Sequence, residues 1–339
     1  MNLLKDLDVS GKRVFVRADL DVPLDGLDQV HNKLENETAT RLTNLKKTID
    51  FIFQKGAKQV IIAGHIGRPE KPDPNMSTKL LLPVLENILG KQIGFCDQLE
   101  VETDELVVLL ENLRFWPGET ANDGEFAKKL AALSDCYVNE AFGNSHRAHA
   151  SMVSLPALLP HAAGLHLEQE VEVMTRLLET PEKPFISIVG GAKIETKVPV
   201  ITNLSKISHN VLVGGALPLE IEKENLKFPE NVLVAKLTED KKDIDLESTH
   251  RFMQHIRNAK TVAWNGPMGL FEEGFETGTK SLAAAILESG AYSVVGGGDT
   301  TQFLEKIGLL PRFSFVSAGG GAMLDFLAGE KLPALAALG

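Results

Sequence analysis

Short apolar runs typical of β-strands recur along the whole chain, and helical patterns separate several of them. Segments 40–55 and 124–133 are examples, and the first carries Leu42, Leu45 and Ile49 at helical spacing. Alternation of this kind predicts βαβ units and mainly parallel sheets. The predicted strands are 13–17, 59–63, 106–111, 135–139, 185–189, 210–213, 231–235, 260–264, 291–295 and 313–317.

The length of the chain, 339 residues, favours two domains over a single hydrophobic core. A charged amphipathic helix is predicted at 165–179, and two prolines at 181–184 end it. We therefore predict two α/β domains, 1–164 and 184–322, joined by the helix and linker 165–183. The tail 323–339 is expected to pack back toward the first domain.

The overall charge is acidic, with a formal net charge of -11. This charge argues against a general surface for nucleic acid or for anionic membranes. Cys96 and Cys136 lie far apart in apolar runs, which is typical of small buried side chains in a reducing compartment. The N-terminal segment has no secretory pattern, and no apolar run reaches the length of a membrane span. These features predict a cytoplasmic protein with neither nucleic acid nor membrane as a partner.

Charged side chains follow the predicted strands of the first half. Carboxyl ends of strands in a doubly wound sheet lie along one edge, so these side chains are expected to converge. Clustered cations repel one another unless an anion neutralises them, and arginine suits bidentate recognition of phosphate or carboxylate. The pattern therefore predicts a small phosphorylated and carboxylated substrate. The residues concerned are Arg17, Asp19, Asp21, Arg41, His65, Arg68, Arg114, His146 and Arg147.

Glycine turns follow the predicted strands of the second half. The segment FISIVGGAKIETK, 185–197, runs from a strand into Gly190 and Gly191 and then places Lys193 and Lys197 on one helical face. Further glycine turns lie at 214–215, 266–267, 296–300 and 319–321. Such turns at helix starts bind phosphates through backbone amides. Asp299, within one of these turns, is the predicted partner for Mg²⁺, which commonly uses one or two carboxylates together with phosphate oxygens.

A basic cluster in one half and glycine turns in the other favour phosphoryl transfer between two small molecules, in which the protein positions and neutralises. Walker A, protein-kinase HRD/DFG and dinucleotide GxGxxG motifs are all absent from the sequence. A metal pair at His146 and His149 is disfavoured because no third nitrogen or sulfur ligand lies nearby. An acid–base dyad of Asp19 and Asp21 is also disfavoured, because the arginines around them favour substrate hydrogen bonding.

Eight motifs give the sequence a family resemblance. In chain order they are VRADLDVP, GHIGRP, ENLRF, VNEAFGNSHRAHAS, GGAKIETK, WNGPMGLFE, GGGDT and SAGGGAMLDFL. The chain resembles phosphoglycerate kinases along almost its whole length. The resemblance implies two Rossmann-like three-layer domains in a monomer. It also implies the glycolytic, reversible transfer of the acyl phosphate of 1,3-bisphosphoglycerate to Mg-ADP, in line across an interdomain cleft that closes.

The resemblance also implies roles for individual residues. Asp19, Asp21, Arg41, His65, Arg68, Arg114 and Arg147 would hold the phosphoglycerate, and Arg17 and His146 would extend the basic patch. Lys193 would follow the transferring phosphoryl group, with Arg41 opposite it. The backbone amides of Gly298, Gly319 and Gly320 would stabilise developing charge. The nucleotide would be held by Gly191, Lys197, Asn265, Pro267, Glu272, Gly297, Gly298, Asp299 and Thr300, and its Mg²⁺ by Asp299.

The sequence also departs from the family pattern. Asp21 stands where the family has Asn, Glu140 where it has Asp, and Ala318 where it has Thr. In the family, a long segment after the strand that corresponds to 210–213 helps to wall the adenine and ribose site, and several tens of its residues are absent here between 213 and 264. The alternative is therefore a non-catalytic relative that binds phosphoglycerate and has an impaired nucleotide site. The second competitor is another small-molecule kinase or a dehydrogenase on a similar sheet, and the absence of the dinucleotide motif disfavours the dehydrogenase.

Overall fold

The computed structural model describes residues 1–22, 24, 37–101 and 103–339. Pro23, the last residue of the VRADLDVP motif, lies outside the described residues. The described residues form two compact units, Met1–Val171 with Lys331–Gly339, and Glu172–Glu330. The boundary falls inside the helix Leu165–Glu179, and residues 323–330 lie in the second unit.

The first unit contains a six-stranded sheet in the order β3-β4-β2-β1-β5-β6, and every pair of neighbours is parallel. Its central strands are buried along their whole length, as expected for parallel strands covered on both faces. The strands are β1 Arg13–Arg17, β2 Gln59–Ala63, β3 Ile93–Cys96, β4 Val107–Leu110, β5 Cys136–Asn139 and β6 His161–Ala163.

The second unit contains another six-stranded parallel sheet, in the order β12-β11-β10-β7-β8-β9. Two parallel sheets confirm the predicted α/β class. The strands are β7 Phe185–Val189, β8 Asn210–Val213, β9 Val232–Val234, β10 Thr261–Asn265, β11 Tyr292–Gly296 and β12 Phe315–Ser317.

Helices alternate with the strands in both units. They are α1 Glu37–Gln54, α2 Leu82–Leu89, α3 Pro117–Thr120, α4 Gly124–Ala131, α5 Leu165–Glu179, α6 Ile194–Leu204, α7 Leu217–Lys223, α8 Leu246–Arg257, α9 Thr277–Ser289, α10 Gly298–Lys306, α11 Gly320–Leu327 and α12 Pro333–Ala336. A short π-helix, Ala150–Ser154, lies in the first unit. Of the helices that the structure describes, none combines the length and apolar character needed to cross a lipid bilayer.

The last residues of the chain pack in the first unit. The N–H of Asn2 donates to the carbonyl of Leu338 (3.0 Å), and the N–H of Ala334 donates to the carbonyl of Ser145 (3.1 Å). These bonds place α12 beside the segment that follows β5.

Candidate active site

The parallel register of the first sheet brings three strand ends together. Arg17, the last residue of β1, pairs with Ala63 of β2 on one side and with Asn139 of β5 on the other. The segments that leave these strands therefore start from one edge of the sheet. His65, Asp19 and most of the other predicted basic and acidic residues lie on these segments.

Arg17 is completely buried, and its guanidinium is held by protein groups. Its Nε donates to Ser151 Oγ (2.9 Å), its Nη2 donates to His65 Nδ1 (2.8 Å), and its Nη1 donates to the carbonyl of Ala18. Arg17 is thus buried behind His65, and it acts on the site through its hydrogen bond to the His65 ring.

The remaining basic residues surround His65. Burial lowers the pKa of His65 well below its ordinary value, and the charges of Arg17, Arg114, His149 and Arg147 lower it further. Burial likewise lowers the pKa of Arg114, and Asp21 opposes this effect while Arg17, Arg147 and Arg68 add to it. Burial lowers the pKa of His149 to about 4, and the nearby arginines and His146 also lower it. Four arginines and three histidines of the first unit therefore form one electrostatic cluster: Arg17, Arg68, Arg114, Arg147, His65, His146 and His149.

Two aspartates of the VRADLDVP motif organise the edge of this cluster. Asp19 lies 3.8 Å from Arg41 Nη1 and accepts from Asn144 Nδ2 (3.2 Å). Asp21 Oδ1 accepts from the N–H of Gly67 (2.8 Å), and the carbonyl of Asp21 accepts from Arg41 Nη1 (3.1 Å). The carboxylate that replaces the family's amide thus has a backbone donor, so this substitution keeps an acceptor role.

Glu119 and Ser151 belong to the cluster but were missed in the sequence analysis. Glu119 of α3 is completely buried, and its carboxylate accepts from Ser151 Oγ (2.6 Å) and from the N–H of Ser151 (2.9 Å). It also lies 3.8 Å from His149 Nδ1. The only signal in the sequence was a lone glutamate shortly after the ENLRF motif, and such residues are usually solvated.

In the second unit, three glycine turns pack backbone against backbone. A Cβ on Gly266 would lie 2.2 Å from the carbonyl carbon and oxygen of Gly190, and a Cβ on Gly215 would lie 2.6 Å from the N atom of Gly191. Gly191, Gly215 and Gly266 all have positive φ, of 91°, 65° and 98°. The carboxyl ends of β7, β8 and β10 can approach this closely only because the turns have no side chains.

Lys197 and Asn265 lie on the inner side of these turns. Lys197 is only 6% exposed, and its Nζ donates to Asn265 Oδ1 (2.6 Å). Burial lowers the pKa of Lys197 to about 8, although the charge of Asp299 raises it in part. Thr300, fully buried at the start of α10, accepts from the N–H of Gly266 (2.8 Å).

The other predicted nucleotide residues lie at the surface of the same unit. A pocket of about 190 Å³ is lined by Gly191, Pro267, Glu272 and Asp299, together with Lys242. Gly297 and Gly298 precede and open α10, whose first turn presents unpaired N–H groups to an anion.

Lys193 is exposed at the N-cap position of α6. Gly319 and Gly320 lie at the N-terminus of α11, where the N–H of Gly319 donates to Ser317 Oγ (3.1 Å). Lys193, Gly319 and Gly320 thus lie at helix starts of the second unit and are not among the residues that line the 190 Å³ pocket.

Asp299 has surroundings that suit a magnesium nucleotide. No group of three or more histidine, cysteine or acidic side chains with metal-site geometry occurs among the residues that the structure describes. Mg²⁺ usually needs only one or two carboxylates, because phosphate oxygens and water complete its coordination. A single exposed Asp299 in the first turn of α10 fits this requirement.

A short loop that contains Lys241, Lys242 and Asp243 lies between residues 213 and 264, where the base pocket was expected to be reduced. Asp243 is buried, and its carboxylate accepts from the N–H groups of Ile244 (2.8 Å) and Gly278 (3.0 Å). The N–H of Leu270 donates to the carbonyl of Lys242 (2.8 Å), so the loop is fixed against the wall of the 190 Å³ pocket. Lys241 and Lys242 therefore line this side of the pocket.

Known proteins share both the sequence pattern and the fold. The family model for phosphoglycerate kinase matches residues 4–226 and 219–330. The chain belongs to the phosphoglycerate kinase family. Phosphoglycerate kinases of Rubrobacter xylanophilus and Dictyoglomus turgidum are each 38% identical to it, over 99% of this chain and 97% of the relative. The solved phosphoglycerate kinase of Coxiella burnetii, at 31% identity and a TM-score of 0.82, covers 100% of this chain and is itself covered to 99%.

The family comparison also bears on the shortened segment. The alignment with the Rubrobacter relative spans 389 positions, fifty more than this chain has residues. The two matches to the family model meet at residues 219–226, at the end of α7. This position lies between residues 213 and 264, where the sequence analysis placed the missing residues. The chain is a short member of its family.

Proposed function

We propose that the first unit binds phosphoglycerate in the basic cluster and that the second unit binds a magnesium nucleotide at its glycine turns. Membership of the phosphoglycerate kinase family makes the chain an enzyme that transfers a phosphoryl group to and from a carboxyl group. The reaction is the glycolytic exchange between 1,3-bisphosphoglycerate with ADP and 3-phosphoglycerate with ATP.

One observation carries the assignment of the first unit. Among the described residues, five arginines gather in the cluster around His65 and outnumber the three carboxylates of Asp19, Asp21 and Glu119. The arginines are Arg17, Arg41, Arg68, Arg114 and Arg147. A cluster of this kind is stabilised by an anion that bears several charges, as phosphoglycerate does. Arg41, Arg68, Arg114 and Arg147 are the proposed partners of its phosphate and carboxylate.

The nucleotide assignment rests on the buried lysine and the helix start beside it. Lys197 and the first turn of α10 would hold the phosphates, and Glu272 and Pro267 would line the nucleoside side. Asp299, with phosphate oxygens, would hold Mg²⁺, whose charge neutralises the phosphates. Lys193 is the proposed partner of the group in transfer, and Gly320 of α11 the proposed amide donor. Closure of the two lobes stays a prediction, as do the monomeric state and the cytoplasmic location.

A coupled assay with 3-phosphoglycerate and Mg-ATP tests the substrate pair. We expect 3-phosphoglycerate-dependent ADP release, and activity only with another carboxylate would refute the proposal. Calorimetric titration tests the non-catalytic alternative separately. A Kd of about 1 mM is already a weak affinity. If the chain binds 3-phosphoglycerate but shows no binding of Mg-ADP at about millimolar nucleotide, the non-catalytic alternative is favoured.

A further inference from the structure

A chain of buried hydrogen bonds runs from Glu119 to His65 in the first unit. Glu119 accepts from Ser151 Oγ (2.6 Å), Ser151 Oγ accepts from Arg17 Nε (2.9 Å), and Arg17 Nη2 lies 2.8 Å from His65 Nδ1. Glu119, Ser151 and Arg17 are completely buried, and His65 is 2% exposed. Three of the four residues are closed off from solvent. A direct contact with substrate therefore does not explain their presence beside the proposed binding site.

The chemistry of the four side chains fixes which atom donates and which accepts in each of these hydrogen bonds. A guanidinium has only N–H donors, so His65 Nδ1 must be the acceptor of the bond from Arg17. Ser151 has one hydroxyl proton and gives it to Glu119, which leaves its lone pairs for Arg17 Nε. A neutral imidazole that accepts at Nδ1 must carry its proton on Nε2. The geometry thus selects one of the two tautomers of His65.

We propose that Glu119, Ser151 and Arg17 are positioning residues that hold His65 as the neutral Nε2–H tautomer, which donates a hydrogen bond to phosphoglycerate and takes no part in proton transfer. The hydrogen bond to phosphoglycerate rests on the proposed function. Nε2 is the ring nitrogen on the side of Asp21, whose Oδ2 lies 3.8 Å away. A donor there suits a carboxylate or phosphate oxygen.

Basic neighbours on three segments favour the neutral His65 ring. Arg17 approaches from β1, Arg114 from the segment after β4, and Arg147 and His149 from the segment after β5. Asp21 is the acidic group on the open side. The His149 ring meets the His65 ring edge-on, with centroids 6.4 Å apart. A second positive charge on His65 would be repelled by its neighbours, so protonation is opposed even though Asp21 is close.

Nitrogen-15 NMR of the intact chain tests the tautomer directly. The nine histidines are labelled, and the His65 signals are assigned by their loss in His65→Asn. We expect an unprotonated Nδ1 and a protonated Nε2, without titration from about pH 8 to about pH 5.5, a window that brackets the ordinary histidine pKa. An Nδ1–H tautomer, or titration near the ordinary value, would overturn the proposal. This measurement needs no active enzyme, so its failure is distinct from failure of the proposed function.

Variants of Ser151 test the relay behind the ring. Ser151→Ala removes the acceptor of Arg17 Nε, and we expect His65 to exchange between tautomers and the KM for 3-phosphoglycerate to rise about tenfold, the scale for one hydrogen bond to a charged group. The KM for Mg-ATP should change less than twofold. Ser151→Thr keeps the hydroxyl and should restore the single tautomer.

A matched control lies in the same π-helix. Ser154 Oγ donates to Asn122 Oδ1 (2.7 Å), away from Arg17, so Ser154→Ala should leave the His65 signals and the KM unchanged. Wild-type tautomer and KM in Ser151→Ala would exclude the relay. If Ser151→Ala does not fold, the NMR result on the unaltered chain still decides whether His65 is the Nε2–H tautomer.

Discussion

Lys197 Nζ donates to Asn265 Oδ1 over 2.6 Å, and this bond joins the helix after β7 to the end of β10. The hydrogen-bond partner is a neutral amide, and the charge of Asp299 offsets the burial of the ammonium only in part. Burial accordingly lowers the pKa of Lys197 to about 8. A cation that is only partly compensated, behind the glycine turns, is suited to a nucleotide phosphate.

Binding of Mg-ADP should therefore take up a proton when the solution is alkaline. Phosphate charge raises the pKa of Lys197, so the free form loses its proton at lower pH than the complex, and affinity should fall as pH rises above about 8. Calorimetry at about pH 8.5 in two buffers of different ionisation heat measures the uptake. Ordinary lysines, with a pKa near 10.4, stay protonated at this pH and do not contribute to it.

Two variants separate this effect from general charge. Lys197→Met should abolish the proton uptake, and Lys206→Met, which removes an exposed lysine just beyond α6, should retain it. Heats that do not depend on the buffer in the unaltered chain would contradict the assignment of Lys197.

Lys193→Ala should lower kcat by at least about a hundredfold, the scale for losing one partner of transition-state charge. Lys193 is exposed at the start of α6, so the thermal midpoint and the binding of 3-phosphoglycerate should stay close to wild type. Steady-state kinetics and a melting curve measure both. Wild-type kcat in Lys193→Ala would remove the residue from its proposed role.

Gly266→Ala should destabilise the chain by at least about 3 kcal/mol, because overpacking and a forbidden φ act together. The new Cβ would lie 2.2 Å from the carbonyl of Gly190, at a φ of 98°. Gly290→Ala is the matched control, since Gly290 has a φ of 68° and open space around it. It should cost only about 1 kcal/mol, the price of a left-handed alanine. Urea unfolding compares the two, and equal losses would contradict the packed turns.

Thr48→Val should destabilise the chain by about 2 kcal/mol, because it leaves a buried carboxylate and a backbone donor without their hydroxyl partner. Thr48 Oγ1 donates to Glu140 and accepts from the N–H of Leu165 (3.0 Å). Glu140 in turn accepts from the N–H groups of His166 (3.2 Å) and Leu167 (3.4 Å), so the longer carboxylate found here caps α5.

Thr43→Val is the control within the same helix, α1. Thr43 Oγ1 is buried and has no hydrogen-bond partner among the described residues, so its replacement should change stability by less than about 0.5 kcal/mol or increase it. Chemical denaturation of both variants provides the comparison. Similar effects at the two positions would mean that the Glu140 bond contributes little.

The sequence predicted ten of the strands because central parallel strands are continuous apolar runs, as in Phe185–Val189. It missed Ile93–Cys96 and His161–Ala163, which lie at the two edges of the first sheet. These strands are three or four residues long; Ile93–Cys96 pairs with one neighbouring strand, and His161–Ala163 pairs with one strand and forms a single further bridge, from Ala163 to Leu3. Their sequences need not be apolar throughout, so the pairing depends on the neighbouring strand rather than on local pattern.

Local sequence by itself determined the α/β class, the glycine turns and most of the charged residues at strand ends, because each depends on neighbouring residues. Tertiary structure alone decided how they are used. Glu119, Ser151, Arg17 and His65 are separated by 32, 134 and 48 residues, yet they form one buried chain of hydrogen bonds. Such partners become visible only when the sheet brings distant segments together and removes their polar groups from water, where each must find a partner.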